Sequence, residues 1–229
     1  MKIKPKKIIF FSIIAVIFIV AYNVLSYWNL IPKKSYKAKK FNIKTIKSKN
    51  DYNKNGIDDY RDILLGARKD AQNKPKYKSV YYEGGYPPKN EGVCTDVIWR
   101  AFENAGYSLK DMVDKDISNN LSMYPWVNGK PDKNIDFRRV PNLKVYFDRN
   151  AISYTLDPHK ISQWQPGDIV IFGKKYSHIA IVSDKRNSEG VAYIIHNAAQ
   201  SKREEDALIK YSKKSPITAH YRFENKKSN

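Results

Sequence analysis

From Ile8 to Pro32 the chain carries no charged side chain across 25 residues, IIFFSIIAVIFIVAYNVLSYWNLIP. As a helix this run would extend roughly 37 Å, more than the ~30 Å hydrocarbon core of a bilayer. A helix of a soluble core would keep polar positions along one face, and almost none occur here. Tyr22, Tyr27 and Trp28 fall where an interfacial aromatic belt would lie, and four lysines occupy the basic N-terminus, residues 1–7. The segment 8–32 therefore reads as a single transmembrane helix, an uncleaved anchor. A cleaved signal peptide is the alternative, but no A-x-A-like site follows the run. Eight lysines from Lys33 to Lys49 follow the span. Read literally, the positive-inside rule would keep the C-terminal part in the cytoplasm; the rule weakens for long translocated domains. The chemistry described below favours an extracytoplasmic domain, in a single-pass protein of the cell membrane.

The charge is concentrated near this span. The 229-residue chain has 42 Lys+Arg against 23 Asp+Glu, and residues 1–50 alone hold 12 lysines and no acid. A nucleic-acid-binding domain would carry its basic stripe within the fold, so no nucleic-acid partner is expected. Residues 33–50 (KKSYKAKKFNIKTIKSKN) show no acid, no Gly and no clear period. They read as an extended basic linker that contacts anionic lipid or an acidic wall polymer, or as a solvated spacer.

Beyond residue 50 the pattern is helical first and strand-like second. Ile63, Leu64, Ala67 and Ala71 mark one face of a helix over Tyr60–Gln72. Val93, Val97, Ala101 and Ala105 mark another over Val93–Ala105, stopped by Gly106. The Gly- and Pro-dense YYEGGYPPKNEG between them is a loop. Ser108 and Asp111 form a capping-box-like start, and Pro141 opens a short helix through Arg149. Then DIVIF (168–172), HIAIVS (178–183), VAYIIHN (191–197) and ITAHYRF (217–223) read as strands. This order indicates an α+β fold, with N-terminal helices packed on an antiparallel sheet. The hydrolase-like domain is bounded at 59–223, leaving a tail at 224–229.

Cys94 is the only cysteine in the chain. It stands in the first turn of its helix, where unpaired N–H groups and the helix dipole favour a thiolate and offer an oxyanion site. His178 begins a strand, and His196 ends another just before Asn197. Strand ends on one sheet edge can meet the N-terminus of a packed helix, which assembles nucleophile, base and orienting group. The plainer reading makes Cys94 a small buried apolar residue and the histidines ordinary strand-end residues. A catalytic metal site lacks ligand spacing. Trp99 and Trp164 read as core, and Asp168 as a turn-closing residue.

The motifs QPGDIVIF, SHIAIVSD and YIIHNA, after a helix-start cysteine, resemble the NlpC-type papain-like cysteine peptidases of bacterial cell walls. The resemblance implies Cys94 as nucleophile, His178 as general base and His196 as the third polar residue, with Asn197 the rival. It implies Tyr81 near the oxyanion, with Tyr82 the one-residue alternative. The chain departs from the usual Asp-Cys-Ser by reading Val93-Cys94-Thr95-Asp96. That variant, with YYEGGYPP, GVCTDV, NIDFRRVPNL and ITAHYRF, resembles the narrower domain of unknown function 1287 family over about residues 59 to 223. The expectation is a thiol-dependent amide hydrolase acting on peptidoglycan or a wall peptide. The alternatives are a non-catalytic wall-binding module on the same fold and a thiol acyltransferase. Asp136, Arg138 and Arg139 would recognise a substrate carboxylate, for which Arg is suited, or form a structural ion-pair cluster.

A last motif is DYNKNGIDDYRD, residues 51–62. It matches the calcium loop D-x-[DN]-x-[DN]-G, with Asp51, Asn53 and Asn55 offering side-chain oxygens, Ile57 its carbonyl, and Asp59 and Asp62 in the ninth and twelfth places. It resembles the calcium loops of dockerins and thrombospondin type 3 repeats. The expectation is structural Ca2+ held weakly, of order 10⁻⁴–10⁻³ M, as in extracellular modules. An Asx-rich turn capping the next helix is the plainer reading.

Overall fold

The computed structural model describes residues 5–27, 31 and 34–224. It divides into two units, 1–34 and 35–229. In the first, helix α1 runs Pro5–Tyr27, and its stretch Lys7–Tyr27, with a mean hydropathy of 2.8, is long and apolar enough to cross a membrane. Trp28 and the rest of the expected span, Ile31 apart, lie outside the described residues, as do 1–4 and 225–229.

The second unit is α+β. Its elements are α2 (Asp59–Asn73), β1 (Lys76–Tyr77), β2 (Glu91–Gly92), α3 (Cys94–Asn104), α4 (Leu109–Asn119), α5 (Val140–Asn150), β3 (Ala151–Ser153), β4 (Ile169–Phe172), β5 (His178–Arg186), β6 (Ala192–Ile195), β7 (Glu204–Glu205), α6 (Leu208–Lys214) and β8 (Ile217–Phe223). The main sheet is antiparallel throughout, in the order β3-β8-β4-β5-β6-β7. β1 and β2 form a separate parallel pair, with Tyr77 opposite Gly92.

Strand alternation splits the core into two layers. Ile169, Ile171, Ile179, Ile181, Ile195 and Ala219 face α2, α3, α4 and α5. Val170, Phe172, Ala180, Val182 and Ile194 face the other side, under Trp164 and α6. Because both faces are covered, the strands read as continuous apolar runs rather than alternating ones. The turn into β4 depends on Gly167: its φ is +88°, and an added Cβ would sit 2.4 Å from the Tyr60 carbonyl oxygen of α2. Asp168 closes that turn by accepting from the Gln165 N–H at 2.8 Å.

The segment read as a free linker is docked from Ser35 onward. Tyr36 and Arg186 exchange backbone hydrogen bonds of 2.8 and 2.9 Å. Gln165 accepts from the Ile46 N–H and donates to the Lys44 carbonyl. Ser48 N–H donates to Asp58, Lys37 pairs with Asp184 at 2.8 Å, and Ile43 is buried. These are backbone contacts and isolated apolar insertions, which leave no periodic trace in sequence. The compact unit therefore begins some two dozen residues before the expected boundary at 59.

Candidate active site

Cys94 is the first residue of α3, and the helix N-terminus is organised by Asp96. The Asp96 carboxylate accepts from the Val93 N–H at 2.7 Å, from Trp99 Nε1 at 2.7 Å, and from Arg138 at 2.8 and 3.1 Å. Val93 has no side-chain acceptor for a cap, so the carboxylate three positions on satisfies its backbone instead. Thr95 Oγ1 donates to the Arg138 carbonyl at 3.1 Å. The Thr-Asp pair after the cysteine thus ties the thiol-bearing turn to the 136–139 segment.

Helix α3 packs against β5, and the Cys94 Sγ lies at the backbone N–H of Ile179, the residue after His178. His178 Nε2 is 2.8 Å from His196 Nδ1, and His196 Nε2 is 3.0 Å from Glu205 Oε1. An ionised carboxylate only accepts, so His196 Nε2 donates to Glu205. In the neutral ring Nδ1 is then an acceptor, and His178 Nε2 donates to it. The chain leaves Nδ1 of His178 as that ring's basic nitrogen. Both histidines are buried, and the Glu205 side chain is 11 % exposed.

The expected helix-dipole lowering of the thiol is outweighed here. Burial pushes the Cys94 thiol up to about 11, although the N–H groups of Ile179, Thr95 and Cys94 itself favour the thiolate. Burial, then the neighbouring His196, pushes His178 down to about 3. Both shifts disfavour an isolated charge. Burial thus favours the neutral form of both side chains.

Several expected residues take other places. Asn197 is buried and donates to the Pro75 carbonyl at 3.3 Å and the Gly92 carbonyl at 3.0 Å, so it anchors the approach to Cys94 while His196 contacts His178. Tyr81 turns outward: its hydroxyl meets Asp132 at 3.3 Å and Asn134 at 2.9 Å. Tyr82 donates to Glu91 at 2.7 Å. Tyr77 lies in β1 opposite Gly92, and burial, then the nearby Cys94, raises its hydroxyl. Arg138 is buried in its two-pronged pair with Asp96, and Asp136 accepts from the Asp132 N–H and the Asn142 amide. Neither side chain is presented to a ligand. Arg139 is the outward member, with its side chain 45 % exposed, donating to the Trp126 carbonyl at 3.2 Å.

Three contributors were not anticipated from sequence: Glu205, Tyr77 and Tyr211. Each lies in a two-residue strand or a seven-residue helix. Elements this short give no periodicity, and Glu205 stands in the run of three acids Glu204-Glu205-Asp206, which reads as solvated surface.

The 51–62 loop forms a closed turn around Gly56, whose φ is +86°. Asp51 accepts from the Asn55 and Gly56 N–H groups, and Asp62 Oδ2 accepts from the Asn53 amide at 3.0 Å and the Asn55 amide at 2.9 Å. Those four residues converge. Asp59 does not: it accepts from the Tyr52 N–H and the Tyr107 hydroxyl. Among the described residues no group of three or more His, Cys, Asp or Glu side chains is arranged to hold a metal.

Two comparisons bear on this arrangement. The family described as domain of unknown function (DUF1287) matches residues 64–223. A relative from Escherichia coli (strain K12), the uncharacterized protein YijF, is 36 % identical over 153 residues, covering 65 % of this chain and 72 % of its own. No solved structure matches.

Proposed function

The chain belongs to the domain of unknown function 1287 family, and we propose that its folded unit is a papain-like thiol hydrolase of the NlpC type. It acts on amide bonds of the bacterial cell wall, as a peptidoglycan peptidase or amidase. The observation that carries this reading is the directional chain His178–His196–Glu205, whose first member precedes Ile179, the residue with its backbone N–H at the helix-start thiol. A structural histidine has no need of a second histidine and a carboxylate in line behind it; a general base does, because they fix its tautomer and stabilise its charged form. Cys94 Sγ passes its proton to His178 Nδ1 and attacks the amide carbonyl carbon. The tetrahedral oxyanion is held by N–H groups at the start of α3. Collapse breaks the C–N bond, the imidazolium protonates the leaving amine, and a thioester remains. Water, deprotonated by His178, then releases the acid. Tyr77 lines the thiol, and Arg139 is the remaining candidate for a substrate carboxylate.

The helix α1 anchors the protein in the membrane, with the unit extracytoplasmic, where a wall substrate lies and a single free thiol has no partner to oxidise with. The 51–62 loop takes a weak structural Ca2+ through Asp51, Asn53, Asn55 and Asp62, with Asp59 engaged elsewhere.

Digestion of purified wall by the full chain in detergent, with fragments identified by mass, tests the activity. New amide-cleaved fragments with wild type and none with Cys94→Ala are expected. Wall left intact by wild type, but bound by it, moves the reading to a non-catalytic wall-binding module.

A further inference from the structure

The His178 ring lies against a tyrosine that the thiol mechanism has not used. Tyr211, on α6, stacks on His178 with ring centroids 4.6 Å apart and planes 22° apart, and meets His196 edge-on at 5.4 Å and 85°. Phe172 fixes the tyrosine from the sheet side at 5.1 Å. Burial, then the nearby Cys94, raises the Tyr211 hydroxyl.

This position matters because of what surrounds the base. Among the described residues, the titratable groups near His178 and the thiol are Cys94 and Asp96 from α3, Tyr77 from β1, His196 just after β6 with Glu205 of β7 behind it, and Tyr211 from α6. Burial works against an imidazolium here. The Glu205 carboxylate is hydrogen-bonded to His196, which in turn meets His178. An aromatic face, by contrast, offers its negative quadrupole directly to a cation stacked on it.

We propose that Tyr211 is a positioning residue of the site, whose ring holds the His178 imidazole in its hydrogen bond with His196 and stabilises the imidazolium formed when Cys94 gives up its proton. The inference rests on the thiol reading and adds to it a device that favours the charged pair in a buried setting.

The experiment is alkylation of the full chain in detergent by iodoacetamide across pH. Cys94 is the sole cysteine, so the rate reports it alone. Tyr211→Leu is expected to react roughly three- to fivefold more slowly than wild type near neutral pH. The two rates converge at about pH 11 and above, where the thiolate forms without the imidazole. Tyr211→Phe, which keeps the face, stays near wild type. Pentafluorophenylalanine at position 211 keeps the shape while reversing the quadrupole, and reproduces the Leu result even if the Leu variant folds poorly. Equal rates for wild type and the fluorinated variant at every pH overturn the proposal, as does slowing by one constant factor at every pH, which marks altered access. A His178→Ala arm separates the two levels: slowing there but not at position 211 removes only the role of Tyr211, whereas no slowing in His178→Ala removes the thiol–base pair itself.

Discussion

Two buried histidines of the same sheet, His220 bonded to a carboxylate and His178 to a second histidine, differ in what is left over. His220, on β8, directs Nδ1 at the Thr155 carbonyl at 2.9 Å and Nε2 at Asp168 at 3.0 Å, and lies flat on Trp164 at 3.8 Å. Asp168 is itself held by two bonds from Arg222, at 2.7 and 2.8 Å. Both ring nitrogens are engaged, so the residue joins the PGD turn to β8 and can exchange no proton with a ligand. His178 has one nitrogen engaged, by His196, and Nδ1 remains. The same residue type is thus a brace in one place and a candidate base in the other. What separates them is whether an acceptor site on the ring stays open.

The largest expected effects break this pair in opposite ways. Cys94→Ala and His178→Ala abolish wall hydrolysis, by roughly 10³-fold or more, with little change in melting temperature. His220→Ala leaves Asp168 and the Thr155 carbonyl short of a partner and opens a cavity under Trp164. It should cost on the order of 2–4 kcal/mol of stability while activity per folded molecule persists. Denaturant melts beside single-turnover rates check both, and a catalytic loss in His220→Ala without destabilisation would erase the distinction.

Next in size is the group behind the base. His196→Ala should lower the rate roughly 10²-fold or more. Asn197→Ala, which holds backbone at Pro75 and Gly92, should lower it less and destabilise more. The reverse order in steady-state rates would return the orienting role to Asn197.

Stability against pH sharpens the contrast further. His178, held at about 3 when folded against its ordinary 6.5, is neutral in the native state while the unfolded ring takes up a proton. The stability it contributes is complete above pH 6.5 and is lost as pH falls from 6.5 toward 3. Cys94, raised from 9.0 to about 11, gives the mirror case, with stability lost as pH rises through that interval. Melting temperatures across pH should therefore flatten on the acid side in His178→Ala and on the alkaline side in Cys94→Ala.

Much of this was legible before the structure. Long periodic stretches announced α2, α3 and the apolar strands, and the Ser108 start of α4 forms as read, its hydroxyl accepting from the Asp111 N–H. Cys94, His178 and His196 were legible because each stands at an element boundary. What escaped has physical reasons. The 35–50 segment docks through backbone hydrogen bonds, which no side-chain pattern encodes. Arg138 reads as a free cation until Asp96, 42 positions earlier in the chain, is seen to occupy it. Tyr81 and Tyr77 cannot be ranked without knowing that Tyr77 pairs opposite Gly92.

The smallest expected effect concerns calcium. With four converging residues and Asp59 engaged by Tyr107, several millimolar Ca2+ should raise the melting temperature by a few degrees over chelator, equivalent to ~1 kcal/mol at a millimolar dissociation constant. An unchanged melt removes the ion from the account.

The most direct test of the central claim is capture of the covalent intermediate. The full chain is mixed with purified wall fragments, quenched in acid within a turnover, and its intact mass measured. The account predicts an added acyl fragment on Cys94, discharged by neutral hydroxylamine and absent in Cys94→Ala. Wall fragments cleaved at an undiminished rate by Cys94→Ala, with no adduct on the wild-type chain, would contradict it.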